Sequence, residues 1–443
     1  MTKVRFAPSP TGKLHLGNAY IACLNWLFAR SQGGTFLLRM DDTDEERSEA
    51  ALAEQIKVDL TWLGLDWDEH AVQSERLDRY AAAKEALVQA GRLYPCYETP
   101  EELDLKRKVQ QMRGQPPVYD REALSQTEEK RAAFEAEGRT AHWRFKLVQD
   151  AEVTWDDTVR GPQAIKAETQ SDPVLIRADG RVLYTLSSCV DDLELGVTHI
   201  LRGGDHVSNT VAQIQLFECL IELGFGSAVP TFGHLPLIYD KDGGKLSKRL
   251  DSLSLEGLRE GGKIEPQAVV TYMASLGTAI MREPTEDIRD LAADFDLGAF
   301  NAGSPRMDEA EIEIITAKFV RTLPYAAVAD RAGVDAATWD LISANLSSVS
   351  EAKAWLPILD GDIEPLIEEP DYIAEALAAF PEGEVTDATW GAWTGALKEQ
   401  TGRKGKALFM PLRKALTGQP HGPDMAAVLA RMGRERALKR LGG

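Results

Sequence analysis

The first chemistry-bearing stretch of the chain runs from Val4 to Asn18. An apolar run that predicts a strand passes through a turn rich in proline and glycine, and then into an apolar segment at 19–30 that predicts a buried helix. Such a turn presents backbone N–H groups and the positive end of a helix dipole, both of which attract a phosphate. His15 would add a hydrogen-bond donor, and Gly17 would let a ring or phosphate approach the backbone. The alternative is an ordinary α/β turn with a chance histidine.

A second chemical pattern lies far along the chain, where residues 243–249 read Gly-Gly-Lys-Leu-Ser-Lys-Arg. Lys245 and Lys248 would place two ammonium groups on a glycine-rich loop that can close over a nucleotide. Taken alone, such a cluster is more often a solvated loop. Together with the His-x-Gly turn it favours a nucleotide site built from two distant segments. The sequence has neither a Gly-x-Gly-x-x-Gly nor a P-loop pattern, which disfavours an ordinary dinucleotide or Walker site.

Several motifs together resemble those of the bacterial class I glutamyl-tRNA synthetases, nearly from end to end. They are Ala-Pro-Ser-Pro-Thr-Gly at 7–12, His-Leu-Gly-Asn at 15–18, Arg-Met-Asp-Asp-Thr-Asp at 39–44, Thr-His-Ile-Leu-Arg-Gly-Gly-Asp at 198–205, Lys-Leu-Ser-Lys-Arg at 245–249 and Gly-Lys-Ala-Leu-Phe-Met-Pro-Leu-Arg at 405–413. The resemblance implies ATP-dependent activation of glutamate and its transfer to the 3′ end of tRNA(Glu), with tRNA(Gln) as an undecided second acceptor. It implies ATP and Mg²⁺ as cofactors, and a cytoplasmic monomer.

The resemblance also assigns roles to individual residues. The implied catalytic residues are His15, Lys245 and Lys248. The implied ATP-binding residues are Pro8, Ser9, His15, Gly17, Asn18, Asp205, Lys245 and Lys248. The implied glutamate-binding residues are Arg5, Ala7, Ser9, Asp41, Tyr184, Ser188 and Arg202. Arg5 is expected to hold the side-chain carboxylate, because a guanidinium can grip a carboxylate at two points. Asp41 is expected to take the α-ammonium group.

Two residues of the implied glutamate pocket depart from the pattern of the family. Asp41 is one methylene shorter than the usual glutamate, and Ser188 stands where an asparagine is common. The shorter side chain changes its reach by more than about an ångström. We therefore expect an altered glutamate pocket, which either binds glutamate more weakly or requires bound tRNA for glutamate binding.

The fold class expected is α/β: a doubly wound Rossmann-like catalytic domain with an α+β insertion, followed by an all-α anticodon-binding half. The expected divisions are residues 1–93 for the first half of the catalytic domain, 94–184 for an insertion that binds the acceptor end, 185–250 for the second half, 251–308 for a stem-contact segment and 309–443 for the helical half, with a subdomain boundary near 370–382. Within the insertion, the patterns predict strands at 142–148 and 151–160, and a hairpin of 174–177 with 182–186. Further strands are expected at 35–40, 198–202 and 231–239.

Charge is distributed unevenly along the chain. The formal net charge is −20, yet residues 401–443 contain ten Lys or Arg and two acids, while residues 281–400 contain 25 acids and 8 basic residues. A basic C-terminal segment that follows an acidic one is suited to bind a polyanion such as RNA through a few selected surfaces of the protein. The alternative is a solvated amphipathic terminal helix.

Cysteine usage and hydropathy limit other possibilities. Cys23, Cys96, Cys189 and Cys219 form no CxxC pair, which predicts free thiols in a reducing compartment and no structural zinc site. No apolar run is long enough to predict a membrane span, and the first motif begins too early to leave room for a signal peptide.

Two other functions are weighed. A glutaminyl enzyme of the same class is disfavoured by Ala7–Gly12 and by Asp44, because its lead-in and acidic turn usually differ. A catalytically silent RNA-binding paralogue is disfavoured by the presence of His15, Lys245 and Lys248. Pyrophosphate exchange with glutamate and ATP, with and without tRNA, would separate these possibilities.

Overall fold

In the computed structural model of the protein, residues 1–44, 46–244, 254–301 and 303–442 are described. The chain divides into two compact units. The first unit contains residues 1–260 and 269–308, and the second contains residues 261–268 and 309–443.

The secondary structure alternates strands and helices in the first unit and is mainly helical in the second. The strands are β1 (Lys3–Phe6), β2 (Thr35–Met40), β3 (Glu69–Val72), β4 (Leu93–Cys96), β5 (His142–Phe145), β6 (Glu152–Asp157), β7 (Gly161–Lys166), β8 (Val174–Ile176), β9 (His199–Gly203), β10 (Thr231–Leu235), β11 (Tyr239–Asp240) and β12 (Arg306–Met307). The helices are α1 (Leu16–Ser31), α2 (Ala50–Trp62), α3 (Leu77–Gln89), α4 (Pro100–Met112), α5 (Glu128–Ala136), α6 (Tyr184–Glu194), α7 (Val207–Glu222), α8 (Leu255–Gly261), α9 (Pro266–Ser275), α10 (Glu309–Val320), α11 (Ala336–Ile342), α12 (Trp355–Asp360), α13 (Pro370–Ala378), α14 (Asp387–Thr401), α15 (Lys406–Thr417) and α16 (Met425–Arg440).

The central sheet of the first unit is parallel. Strand β2 pairs with β1 on one side and with β3 on the other, and β9 pairs with β10. The Thr198 amide donates to the Lys3 carbonyl at 2.9 Å, and the Lys3 amide donates to Thr198 Oγ1 at 2.8 Å, which places β1 beside the start of β9. The order in space is therefore β3-β2-β1-β9-β10. From β1 to β3 the chain adds strands on one side of β1, and β9 and β10 are added on its other side, so the order reverses between β1 and β9. This order is doubly wound, which confirms the fold class predicted from the sequence. In such sheets ligands bind at the carboxyl ends of the strands where the order reverses.

Buried helices cover this sheet because their sequences are apolar almost all round. Helix α1 buries ten residues, among them Trp26, and α7 also buries ten. The length of α1 is set by its ends: His15 caps the first turn, and Gly33 with positive φ follows the last.

The segment between β3 and β9 contains antiparallel structure, as expected for an insertion. Strands β4, β5 and β8 form one small sheet, and β6 and β7 form a hairpin. Three details of the sequence prediction for this segment are wrong. The expected strand at 142–148 ends at Phe145. The expected strand at 151–160 ends at Asp157, because the next three residues form the turn that leads into β7 at Gly161. The expected strand at 182–186 is a single bridge at Val182, after which helix α6 begins.

Helix α4 of this segment begins with a capping box. Thr99 accepts a hydrogen bond from the Glu102 amide, and Glu102 accepts one from the Thr99 amide, so the two residues form a capping box ahead of Pro100.

The second unit has its own core of buried side chains. Trp339 and Trp393 are its largest members, and each indole N–H donates to a backbone carbonyl, of Leu323 and Ala376 respectively. Such aromatic side chains bury a large apolar area while their polar atom stays hydrogen-bonded. Among the residues described, no helix is long and apolar enough to cross a membrane.

Candidate active site

A cavity of about 870 Å³ opens at the carboxyl ends of β1 and β9. Its walls come from the segment after β1, the first turn of α1, the end of β9 and the segment after β10. The predicted site residues that line it are Arg5, Ala7, Pro8, Ser9, His15, Gly17, Asn18, Asp41, Tyr184, Arg202 and Asp205. The cavity therefore lies where a doubly wound sheet binds its ligands, and it brings these residues together.

His15 sets the geometry of the first helix turn. Its Nδ1 accepts a hydrogen bond from the Gly17 amide at 3.1 Å, and its own amide donates to Asn18 Oδ1 at 3.4 Å. Because Nδ1 accepts, the proton of the neutral ring is on Nε2. Burial lowers the pKa of His15, which favours this neutral form. The ring can thus donate one hydrogen bond to a ligand at the helix N-terminus.

Lys245 and Lys248 lie outside the described residues. On either side of the segment 245–253, described residues contact the site: Tyr239 lines the cavity, and Ser254 forms an antiparallel bridge with His15. The Leu255 amide also donates to the Leu14 carbonyl at 3.0 Å.

A buried cluster of charges lies under one wall of the cavity. Arg39 is fully buried and donates to Asp41 at 2.7 and 3.2 Å and to Asp192 at 2.7 Å. Asp192 also accepts from Arg5 Nε at 3.1 Å. Burial acts to raise the pKa of Asp192, but Arg5 and Arg39 together hold it below its usual value. Both Arg5 and Asp41 therefore already have charged partners in the protein.

Ser188 does not line the cavity. It lies in the buried face of α6, where its hydroxyl accepts a hydrogen bond from Arg39 at 3.2 Å. The two positions that depart from the family pattern, Asp41 and Ser188, consequently contact the same guanidinium group.

Arg202 has a different environment from Arg5. Its guanidinium donates to the Tyr184 hydroxyl at 3.4 Å, to Thr210 Oγ1 at 2.8 Å and to the ring of His234 at 3.2 Å. Only 5 % of its surface is exposed, and burial lowers its pKa. Within the described residues no carboxylate forms an ion pair with it. A buried cation that lines a cavity without a counter-charge is suited to bind an anion.

Four residues that shape the site were not assigned a role from the sequence: Arg39, Asp157, Asp192 and His234. Arg39 lies inside the Arg-Met-Asp-Asp-Thr-Asp motif, and Asp192 follows a second acid on α6. Charged residues in otherwise apolar elements could have indicated that these two lie near the site. Asp157 lies in the insertion and His234 on β10. Nothing in the spacing of these two residues indicates that they meet.

A separate group of possible metal ligands lies away from the cavity, where Cys96, Glu98 and His142 approach one another within 4.8 Å. Their neighbours do not suit a cation. The Tyr119 hydroxyl donates to Glu98 at 2.7 Å and lies 3.5 Å from Cys96 Sγ, and Arg144 Nε donates to His142 at 3.3 Å. Burial and Arg144 lower the pKa of His142 to about 4. The absence of structural zinc stays a prediction.

The fold and the cavity define an α/β protein of the doubly wound type, in which a buried arginine lines a cavity beside a helix N-terminus. Residues 1–293 match the family model described as the catalytic domain of class I tRNA synthetases (E and Q), and residues 367–443 match that of an anticodon-binding domain. The chain belongs to the class I tRNA synthetases of the E and Q family.

Named relatives extend over the whole chain. It is 50 % identical to glutamate–tRNA ligase 1 of Maricaulis maris over 448 residues, covering 100 % of this chain and 99 % of that protein. It is 52 % identical to glutamate–tRNA ligase 2 of Methylobacterium radiotolerans, with the same coverage. A crystal structure of a glutamate tRNA ligase from Elizabethkingia meningosepticum, in complex with its amino acid, superimposes with a TM-score of 0.84 at 27 % identity, covering 100 % of this chain and 98 % of that one.

Proposed function

We propose that this protein is a glutamate–tRNA ligase, which activates glutamate with ATP and transfers the glutamyl group to the 3′ end of tRNA(Glu). The observation that carries the specificity for an acidic substrate is the environment of Arg202. Its buried guanidinium lines the cavity with neutral hydrogen-bond acceptors around it. A carboxylate would complete its charge balance, whereas an amide would leave the charge buried and unpaired.

The proposed glutamate site follows from this. The sequence prediction assigned the side-chain carboxylate to Arg5. Because Arg5 is already paired with Asp192, we now assign that carboxylate to Arg202 and Tyr184, with Arg5 nearby. Ala7 and Ser9 shape the floor of the site. Asp41 accepts the α-ammonium group, and Ser188 acts indirectly, because it contacts Arg39 below the cavity.

The first chemical step is an in-line attack of the α-carboxylate of glutamate on the α-phosphorus of ATP, with pyrophosphate leaving. In the second step the hydroxyl of the terminal adenosine attacks the glutamyl carbonyl, and AMP leaves. Both steps bring anions together, so the protein acts by positioning groups and neutralising charge. We assign ATP binding to Pro8, Ser9, His15, Gly17, Asn18, Asp205, Lys245 and Lys248. His15 and the two lysines are the catalytic residues proposed, and Mg²⁺ enters with ATP and shares the phosphate charge.

The other domains follow the same proposal. Residues 94–184 hold the acceptor end of the tRNA, residues 251–308 contact its stem, and residues 309–443 bind the anticodon, with a subdomain boundary near 370–382. We also propose that the protein acts as a cytoplasmic monomer. Four buried free cysteines, Cys23, Cys96, Cys189 and Cys219, are consistent with a reducing compartment.

The function is tested by pyrophosphate exchange and by aminoacylation with purified tRNA(Glu) and tRNA(Gln). We expect glutamate-dependent exchange, with glutamine inactive, and charging of tRNA(Glu). An Arg202→Leu variant should lose at least about a hundredfold in kcat/KM for glutamate, because the carboxylate would lose its cation. The absence of exchange both with and without tRNA, while RNA binding is retained, would instead identify a silent RNA-binding protein. Charging of tRNA(Gln) would add a second acceptor.

A further inference from the structure

The buried histidine of β10 lies directly behind Arg202. His234 has no exposed surface, and its ring lies between Asp157 on one side and Arg202 and Thr210 on the other. The Asp157 side chain is itself buried, and its Oδ1 accepts from the backbone amides of Val159, Arg160 and His234. This Asp-His-Arg arrangement joins the end of β6 to β9 and β10.

The hydrogen bonds fix the tautomer of His234. A guanidinium can only donate, so Nε2 of His234, which faces Arg202 Nε at 3.2 Å, carries a lone pair. The ring proton is therefore on Nδ1, from which it is donated to Asp157 Oδ2. Asp157 keeps its negative charge: burial acts to raise its pKa, but the His234 ring and the backbone amides hold the pKa well below the usual value.

The same bonds determine how Arg202 is presented to the cavity. The His234 ring accepts a hydrogen bond from Nε of Arg202, and Thr210 Oγ1 accepts one at 2.8 Å from a terminal nitrogen of the same guanidinium. These neutral acceptors fix the plane of the guanidinium without cancelling its charge. A carboxylate in place of His234 would hold Arg202 as firmly, but it would neutralise the cation before a substrate arrives.

We propose that His234, oriented by Asp157, is a positioning residue that holds Arg202 in its glutamate-binding orientation and leaves its charge available to the substrate carboxylate. The proposal rests on the proposed function, since it assigns Arg202 to glutamate. It goes beyond that function by naming two residues outside the cavity wall that determine glutamate affinity.

The proposal implies a specific pH dependence. The charged and titratable groups that face His234 are Asp157, Arg202, Arg160 and His206. Burial, Arg202 and Arg160 lower the pKa of His234, while Asp157 raises it. At neutral pH the ring is neutral and accepts from Arg202. As pH falls through the pKa of His234, protonated Nε2 would face the Arg202 N–H group, and glutamate binding would weaken.

The experiment compares two substitutions of His234 by kinetics. In His234→Asn the amide takes the place of Nδ1 and leaves Arg202 without its acceptor, whereas in His234→Gln the side-chain oxygen reaches the place of Nε2. We expect His234→Asn to raise the KM for glutamate by about tenfold to a hundredfold, the range for one hydrogen bond to a charged group. The KM for ATP should change less than about twofold. In His234→Gln the KM for glutamate should lie within a few-fold of the wild-type value. The increase in this KM that we expect for the wild-type protein at acid pH should be absent from this variant.

His199→Asn is the matched control. His199 is on β9, beside β10 in the sheet; it hydrogen-bonds to the neighbouring Thr198 at 2.8 Å and packs on Phe28. Its loss removes an imidazole from the same sheet without touching Arg202, so the KM for glutamate should not change. Equal KM values for His234→Asn and wild type would overturn the proposal, and so would equal rises in His234→Asn and His199→Asn.

A measurement on the wild-type protein covers the case in which His234→Asn does not fold. Nitrogen-15 NMR of the imidazoles, assigned with His234→Gln, should show His234 as the Nδ1–H tautomer at neutral pH. An Nε2–H tautomer or a charged ring there would overturn the proposal. A wild-type protein that fails to activate glutamate would contradict the proposed function instead, and the NMR result would still report on the Asp157–His234–Arg202 geometry.

Discussion

Arg39 is the residue that connects Asp41 and Ser188, the two positions of the proposed glutamate pocket that depart from the family pattern. It holds Asp41 through two hydrogen bonds and also bonds to Ser188, while remaining fully buried. The Asp41 carboxylate lines the cavity, and both of its oxygens already accept hydrogen bonds from Arg39. If Asp41 takes the α-ammonium group as proposed, its negative charge is shared with a buried guanidinium, and we expect weak binding of glutamate for that reason.

The double variant Asp41→Glu with Ser188→Asn tests this reasoning. The longer carboxylate should reach further into the cavity, and the amide should take over part of the hydrogen bonding to Arg39. We expect the KM for glutamate to fall about fivefold, equal to roughly 1 kcal/mol of binding energy. Asp42→Glu is the control, because Asp42 bonds to Ser74 rather than to Arg39. An unchanged KM in the double variant would remove the idea of an altered glutamate pocket.

At the scale of elements, helix α6 is attached to the central sheet by charge as well as by apolar packing. Asp192 bonds to Arg5 on β1 and to Arg39 on β2. The neighbouring Asp191 bonds to Gln73, Arg76 and Tyr80. Because successive residues of a helix point in different directions, these two acids attach α6 to two surfaces at once. The position of Tyr184, in the first turn of α6, depends on this attachment.

Asp192→Asn should therefore destabilise the first unit. Removing one member of a buried charge cluster costs about 3–5 kcal/mol, because the remaining guanidinium groups stay buried. The folded pKa of Asp192 is depressed, so its contribution is complete above its unfolded pKa of about 3.9 and disappears as pH falls through the folded pKa. Denaturant unfolding should show a constant difference from wild type between about pH 5 and pH 8, and a smaller one below about pH 4.

Glu69→Gln provides the comparison for that measurement. It removes an ion pair with Lys3 between β1 and β3 of the same sheet, but Glu69 is about half exposed. A loss below about 1 kcal/mol is expected for such a surface pair. Similar losses in Glu69→Gln and Asp192→Asn would show that burial of the α6 carboxylate is not the cause.

At the scale of the whole molecule, the charge distribution separates the basic end of the chain from an acidic remainder. Residues 401–443 carry ten basic residues and lie within the match to an anticodon-binding domain. Lys404 and Lys406 are exposed at the start of α15. An anionic surface elsewhere repels RNA, so binding should depend on a few such cations.

Replacing both lysines by glutamine should weaken tRNA binding and reduce the slope of log affinity against log salt by about 1 for each phosphate that a lysine no longer neutralises. Filter binding or fluorescence titration over a range of salt concentrations measures both quantities. Lys57→Gln with Lys84→Gln makes the same charge change on helices α2 and α3, outside the ranges proposed to contact tRNA, and should leave the slope unchanged. If both pairs reduce the slope equally, net charge rather than the basic end controls binding.

From the sequence alone we predicted a doubly wound catalytic domain, strands that overlap β1, β2, β9 and β10, and eleven of the residues that line the cavity. Strand β3 and the cap of α1 by His15 were not predicted. The predicted features depend on neighbours along the chain: apolar periodicity specifies elements, and motif residues lie at the ends of strands that meet at one edge. The prediction failed at 182–186 because β-branched and apolar residues that favour a strand are followed by a helix packed on the sheet.

Tertiary structure alone decided which charges are paired. Arg5 and Arg202 look alike in the sequence, yet Arg5 is paired with Asp192, 187 residues away, and Arg202 is supported by neutral groups, including His234. Likewise Asp157 reaches His234 across 77 residues, from the insertion to β10. Burial and distance set the free energy of a charge, and both arise only when separate segments pack together, which is why spacing along the chain did not reveal them.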